Sequence, residues 1–220
     1  MQDSTFQCRL THSLMQGYIL HKTSIKNQDL LLRVLTPNKL IELYRFYGMR
    51  HSIIDTGRKI DFDIQHNGYF IPKMRNILQL SYPWEKEYER VYVWKTFISL
   101  LNAHLKEIDE LEDFYFDLLD WGAHILSKQH PMRVVIEMGV KLLLHEGRNT
   151  RHNQNICFVC EQELAENIAL GRSFLFAHPR CINAEVMQKN KITQLLNSGS
   201  SVHLSDEEIE QIWNVFIQGL

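Results

Sequence analysis

The sequence has no run approaching the roughly 20 consecutive apolar residues that a membrane span requires. Its first residues, MQDSTFQCRLTHSL, lack the basic-then-apolar order of a secretory signal. No membrane is expected as a partner, and the expected location is the cytoplasm. Cysteine is scarce: Cys8, Cys157, Cys160 and Cys181 are the whole supply, and three of them cluster. That is poor material for a disulfide framework and better material for a metal. Also missing are G-x-x-x-x-G-K-[ST], G-x-S-x-G and H-E-x-x-H, so the usual phosphate cradle, nucleophile elbow and zinc-protease helix are absent. The carboxylates Glu110, Glu112, Asp113, Asp117 and Asp120 raise the idea of a two-metal nuclease, since Asp113 and Asp117 share a helix face. A solvated acidic helix face explains them more simply, and the expectation is a protein that is not an enzyme.

What is present is a charge asymmetry hidden under a net charge of −2. Residues 15–82 hold ten Lys and Arg against five Asp and Glu, whereas residues 83–220 hold thirteen against twenty. A basic module facing a polyanion and an acidic one facing proteins would produce this split.

Residues 1–14 show neither helical nor strand periodicity and read as an extension ahead of a true beginning at Met15. Five short apolar-rich runs come next, at 17–23, 29–36, 39–47, 58–64 and 69–82, the last with Pro72 as a possible break. Thr36-Pro37-Asn38-Lys39 reads as a tight hairpin turn. Five strands in so short a span close into a small barrel of the OB type, whose open face and loops bind single strands. After Tyr82 the period changes to 3.6. Trp84, Tyr88, Val91, Trp94, Ile98, Leu101, Leu105 and Ile108 mark a long helix opened by Pro83. Leu111, Tyr115, Leu118 and Ile125 mark a second, and 131–146 a third that stops at Gly147. Ser198-Gly199-Ser200-Ser201 is a hinge, and Ser205 and Glu208 form an S-x-x-E capping box before the stripe Ile209, Ile212, Trp213 and Phe216. The expected fold class is α+β: a barrel at 15–82, then a helical domain at 83–220 with an inserted metal module at about 155–185.

Two constellations carry chemistry. Cys157-x2-Cys160 and His178-x2-Cys181 are two chelating pairs separated by a spacer long enough for a hairpin or short helix to fold back. Four such ligands with no obvious water position point to one structural zinc per chain. Cys8 lies outside the pattern and has no assigned role. The basic module supplies Lys22, Lys26, Arg33, Lys39, Arg45, Arg50, Arg58, Lys59, Lys73 and Arg75, interleaved with Tyr44, Phe46, Tyr47, Tyr69 and Phe70. Single-strand binders need cations for phosphates and aromatic faces for bases. The ten cations and Tyr47 are the candidate nucleic-acid contacts, with 44–52 the densest stretch. Taken singly, each cation is equally explained as a solvated surface residue, and several of the aromatics must fill the barrel.

These motifs resemble a known family, the RecO recombination mediators. Met15-Gln16-Gly17-Tyr18-Ile19-Leu20, Asp29-Leu30-Leu31-Leu32 and Thr36 resemble its first strand and hairpin. Tyr47-Gly48-Met49-Arg50 resembles its basic Lys-Gly-Ala-Arg loop, and the two metal pairs resemble its zinc module. Gly57-Arg58-Lys59-Ile60-Asp61-Phe62, Pro72-Lys73-Met74-Arg75-Asn76-Ile77-Leu78, Lys128-Gln129-His130-Pro131 and Glu146-Gly147-Arg148 place it with a shorter branch of that family. His178 stands where many relatives carry a third cysteine, a change that imidazole tolerates as a zinc ligand. The resemblance implies binding of single- and double-stranded DNA, strand annealing, and loading of RecA onto DNA coated by single-strand-binding protein, together with RecR. It also implies nucleoid association and capture of that protein's acidic, aromatic-ended tail, for which Arg133, Lys141 and Arg148 are the candidate cations. A different class stays open: a zinc-stabilised adaptor whose acidic helical half binds proteins and whose basic half binds an acidic surface, without direct DNA function.

Overall fold

The computed structural model describes residues 15–106, 111–148 and 154–220. The expected extension at 1–14, with Cys8, lies outside those residues, as do Ile108 and Glu110. The chain divides into two compact units, the first ending at Leu80 and the second running from Ser81 to Leu220.

The first unit is a closed barrel of strand order β1-β2-β3-β5-β4. Its strands are β1 (Met15–Ser24), β2 (Leu30–Thr36), β3 (Lys39–Arg45), β4 (Lys59–Asn67) and β5 (Phe70–Gln79). Strand β1 pairs antiparallel with both β2 and β4, which closes the sheet on itself. Strand β3 pairs parallel with β5 through Tyr44 and Lys73. Between β1's two partners space is short: a Cβ on Gly17 would stand 2.5 Å from Val34 Cγ1, so only glycine fits where the three strands meet. The register of β1 against β2 shifts between Ile19 and His21, an irregularity that lets a long strand bend around a small barrel. Ile19, Leu30, Leu32, Val34, Leu43, Ile60, Phe62 and Met74 fill the interior. The five apolar-rich runs of the sequence are the five strands, and Pro72 does not interrupt β5.

The second unit is helical. Pro83–Lys86 is a short 3-10 turn and the helix proper, α1 (Tyr88–His104), starts after it, because Glu87 is extended (φ −98, ψ 112). The expected single helix from Pro83 is thus broken. The Trp84 indole N–H donates to the Ala123 carbonyl at 2.7 Å and its ring meets Trp94 edge-on, so a buried tertiary hydrogen bond fixes Trp84 outside the helical path. Next come α2 (Phe114–Ile125) and α3 (Pro131–His145), the latter buried from Val134 to Val140. The metal module is built from β6 (Asn167–Leu170), β7 (Phe176–Ala177) and α4 (Pro179–Ile182). Then β8 (Met187–Gln188) leads into α5 (Lys189–Ser198) and α6 (Asp206–Phe216). Glu137, buried in mid-α3, accepts both the N–H and the hydroxyl of Ser201 at 2.8 Å. One turn earlier Arg133 donates to the carbonyls of Ser201 and Leu204 and to Asp206. The segment between α5 and α6 is therefore tied to α3 by two charged side chains. The capping box of Ser205 and Glu208 is present as the sequence predicts. Among the described residues no helix is long and apolar enough to cross a membrane.

Candidate nucleic-acid interface and metal centre

The parallel pairing of β3 and β5 brings residues from two distant stretches into one patch. The Phe46 ring, at the end of β3, carries Lys73 Nζ at 5.0 Å and Arg75 Cζ at 5.9 Å from its centroid, and Tyr44 meets it edge-on at 4.9 Å. Arg45 donates to the Met74 carbonyl at 3.0 Å. Burial, and then the like charge of Arg75, hold the Arg45 guanidinium below its ordinary pKa. Arg75 and Arg50 donate to neutral amides, Gln65 and Gln28, so those bonds leave their positive charge uncompensated.

The stretch after β3 is shaped by Asp29. Its carboxylate accepts the Tyr47 N–H at 2.6 Å and the Tyr44 hydroxyl, and Tyr47 adopts a left-handed conformation (φ 49) before the Gly48–Arg50 turn. The Arg50 guanidinium lies 4.8 Å from the Tyr47 ring centroid.

The other candidate contacts stand differently. Lys22 is paired with Asp55 at 2.7 Å, and Lys59 is only 8% exposed, with Nζ over the Tyr18 ring. Lys26 and Lys39 are exposed on the β1–β2 loop and at the start of β3, and Arg33 and Arg58 are half-buried. Phe46 was one aromatic among five in the sequence; its role depends on a non-local strand pair that periodicity does not show.

Cys157, Cys160, His178 and Cys181 come together with all donor atoms within 4.8 Å of one another. Cys160 Sγ lies 3.4 Å and Cys181 Sγ 3.9 Å from His178 Nδ1. A tetrahedral ion with sulfur at about 2.3 Å and nitrogen at about 2.0 Å places its donors roughly 3.5 to 3.8 Å apart, so the set could hold such an ion. Local backbone builds it. The Cys157 N–H donates to Gln162 and its carbonyl accepts from Glu161, closing the first knuckle; Ala169 pairs with Ala177 in a hairpin, which returns the chain to His178. Burial raises the Cys157 thiol pKa, but the N–H groups of Cys160, His178 and Val159 outweigh it and bring the thiol down to about 6. Burial pushes the Cys181 thiol up, as do the other two sulfurs. His178 Nε2 lies 3.2 Å from the Glu163 carbonyl; a carbonyl only accepts, so the proton is assigned to Nε2, and Nδ1, beside the sulfurs, keeps a free lone pair for a metal ion. Among the described residues this is the one His, Cys and carboxylate cluster able to hold a metal.

The candidate tail-binding cations are not alike. Arg133 is committed to the α5–α6 segment, and Lys141 covers the Trp121 ring at 4.7 Å. Arg148 borders a cavity lined by Leu143, Phe174, Leu175, Phe176 and Leu196.

A small closed barrel with cations stacked on an aromatic ring, followed by a helical half with a Cys3His group that could hold a metal ion, defines the class as an OB-type binding protein. Residues 15–85 match the family described as RecO N terminal. The match spans the barrel and supports a RecO-family protein with a RecO-type role in DNA repair and recombination. No curated protein matches the chain.

Proposed function

We propose that this protein is a recombination and repair mediator that binds single- and double-stranded DNA through the barrel, anneals complementary strands, and helps RecA onto DNA coated by single-strand-binding protein, with RecR as co-mediator. The observation that carries this reading is the Phe46 ring lying against both Lys73 and Arg75. Stacked cations present charge to a phosphate while staying fixed in direction. Annealing is limited by repulsion between two polyanions, and a surface that neutralises phosphates lowers that barrier without making or breaking a bond. On this reading the protein acts by binding and positioning, not as an enzyme, in the cytoplasm and at the nucleoid.

On this reading DNA is bound by 15–82 and proteins by 83–220. Zinc at Cys157, Cys160, His178 and Cys181 is structural, because four protein donors fill a tetrahedral shell and leave no open position for a substrate. The acidic, aromatic-ended tail of single-strand-binding protein then meets the helical half through Arg148, whose guanidinium exchanges its contact with Glu146 for the carboxylate of the tail. The test is a salt titration of strand binding coupled to an annealing assay. A steep salt slope with annealing supports the mediator; a slope near zero without annealing favours the zinc-stabilised adaptor.

A further inference from the structure

The barrel carries its most exposed large side chains at one place, the β4–β5 hairpin. Asn67 pairs with Phe70, which leaves Gly68 and Tyr69 as a two-residue turn. Gly68 takes φ +59, which suits a glycine-first turn, and nothing lies within 4 Å of where its Cβ would stand. Tyr69 is 109% and Phe70 76% exposed, with Ile71 next at 44%. Consecutive large apolar side chains in open water mark a contact surface. The strand leading away from the turn sets its chemistry. Lys73 and Arg75 pair in regular register with Gln65 and Asp63, so alternation puts them on one face; they are the pair stacked on Phe46, and one slip in register lies between them and the tip. From Arg75 to the tip is about 20 Å of strand, running from cation to cation to aromatic.

We propose that Tyr69 and Phe70 are a stacking tip for unpaired bases, which receives the bases of a single strand whose phosphates lie on Lys73 and Arg75. The proposal rests on the DNA-binding reading above and deepens it by naming the preferred ligand. A duplex offers phosphates to the cations but keeps its base faces covered. A single strand offers both, and every base has a face to stack, so the tip selects for unpaired strands without selecting sequence. Because the two rings stand clear of the barrel wall, a base reaches them with no rearrangement of the core.

The test uses the full-length Tyr69→Ala/Phe70→Ala double variant, whose side chains lie outside the core; an unchanged urea midpoint verifies its fold. Affinity for an oligo(dT) strand is expected to fall about tenfold or more, while affinity for a blunt duplex of the same length and the salt slope on both ligands stay at wild-type values. In a Tyr69→Trp variant, oligo(dT) should be bound at wild-type strength and should quench fluorescence beyond the wild-type response. Equal losses on strand and duplex, or no loss on either, with the salt slope intact overturn the stacking tip and leave the DNA-binding reading in place. A wild type that binds neither ligand removes that reading first. A double variant that changes only from self-associated to monomeric, with strand affinity unchanged, assigns the tip to a second copy and overturns the proposal.

Discussion

The carboxylate of Asp29 accepts the backbone N–H of Tyr47 at 2.6 Å. The same carboxylate takes the Tyr44 hydroxyl, and that hydrogen bond raises the tyrosine pKa and keeps it a donor. One buried acid thus fixes both ends of the aromatic and basic stretch from Tyr44 to Tyr47. Asp29→Ala is expected to destabilise the barrel by about 1 kcal/mol, the loss of two part-buried hydrogen bonds to the carboxylate. Single-strand affinity should drop with it. Urea unfolding alongside fluorescence anisotropy checks both, and a variant with full stability and full affinity refutes the tie.

Replacing Lys26, Arg50, Lys73 and Arg75 by Ala should flatten the single-strand salt dependence. Each neutralised phosphate contributes a log–log slope of about −0.7, so four contacts account for roughly −3. Substituting Lys59, which is buried, or Lys22, which is paired with Asp55, should move the slope far less. Anisotropy titrations across a salt series decide it, and annealing should fall in step with the slope.

Substituting Cys160→Ser should lower bound zinc from about one per chain. Zinc binding in small modules supplies folding energy of about 10 to 16 kcal/mol, so the 154–188 segment should become protease-sensitive while the salt slope of the barrel is retained. Metal analysis with limited proteolysis reads both. A wild type that is metal-free and equally resistant would refute the zinc assignment.

How much of this was legible in sequence differs by element. The barrel strands and the capping box at Ser205 were legible, because each arises from local alternation or local capping chemistry. The spacing of the cysteine and histidine pairs was equally legible, since chelation by a knuckle is local. Three features were hidden. Trp84 leaves the helical path for a hydrogen bond to Ala123, a residue far along the chain. Lys59 reads as an ordinary surface lysine, yet it is covered at the β4 edge of the barrel. Phe46 gains its two cations only through the parallel β3–β5 pair, and no window of sequence contains both partners.

Acid should loosen the start of α6. The hydrogen bond and charge of Arg133 hold the Asp206 carboxyl below its ordinary pKa. A depressed folded pKa gives stability that is complete above the unfolded value near 4 and is lost as pH falls through the folded value. In Arg133→Ala that increment is absent, and the Ser201 and Leu204 carbonyls lose their donor. The variant should unfold more easily at neutral pH, chiefly because the two carbonyls are left without a donor, and the gap should narrow slightly below pH ~4. Tryptophan fluorescence of urea unfolding at several pH values measures it.

A peptide with an acidic stretch and a C-terminal phenylalanine should bind the full-length protein, and Arg148→Glu should weaken that binding about tenfold, since a charge-assisted contact is worth about 1.5 to 3 kcal/mol. Lys141→Ala should matter little, because that cation already covers Trp121. Calorimetric titration distinguishes them; equal weakening by both variants argues against Arg148 as the partner of the peptide's carboxylate.

The closure of the barrel by β1 on β4 sets an order of events during synthesis. Every barrel strand has left the ribosome's catalytic centre once Gln79 is made, whereas the metal cluster is incomplete until Cys181. At about 5 to 20 residues per second, the second event trails the first by on the order of 5 to 20 s. A nascent chain therefore passes through an interval with all its barrel strands made and its metal-binding group unfinished, Cys157 and Cys160 being added only in about the last 1 to 5 s. Zinc shortage during growth should accordingly damage the newly made helical half and spare the barrel made before it.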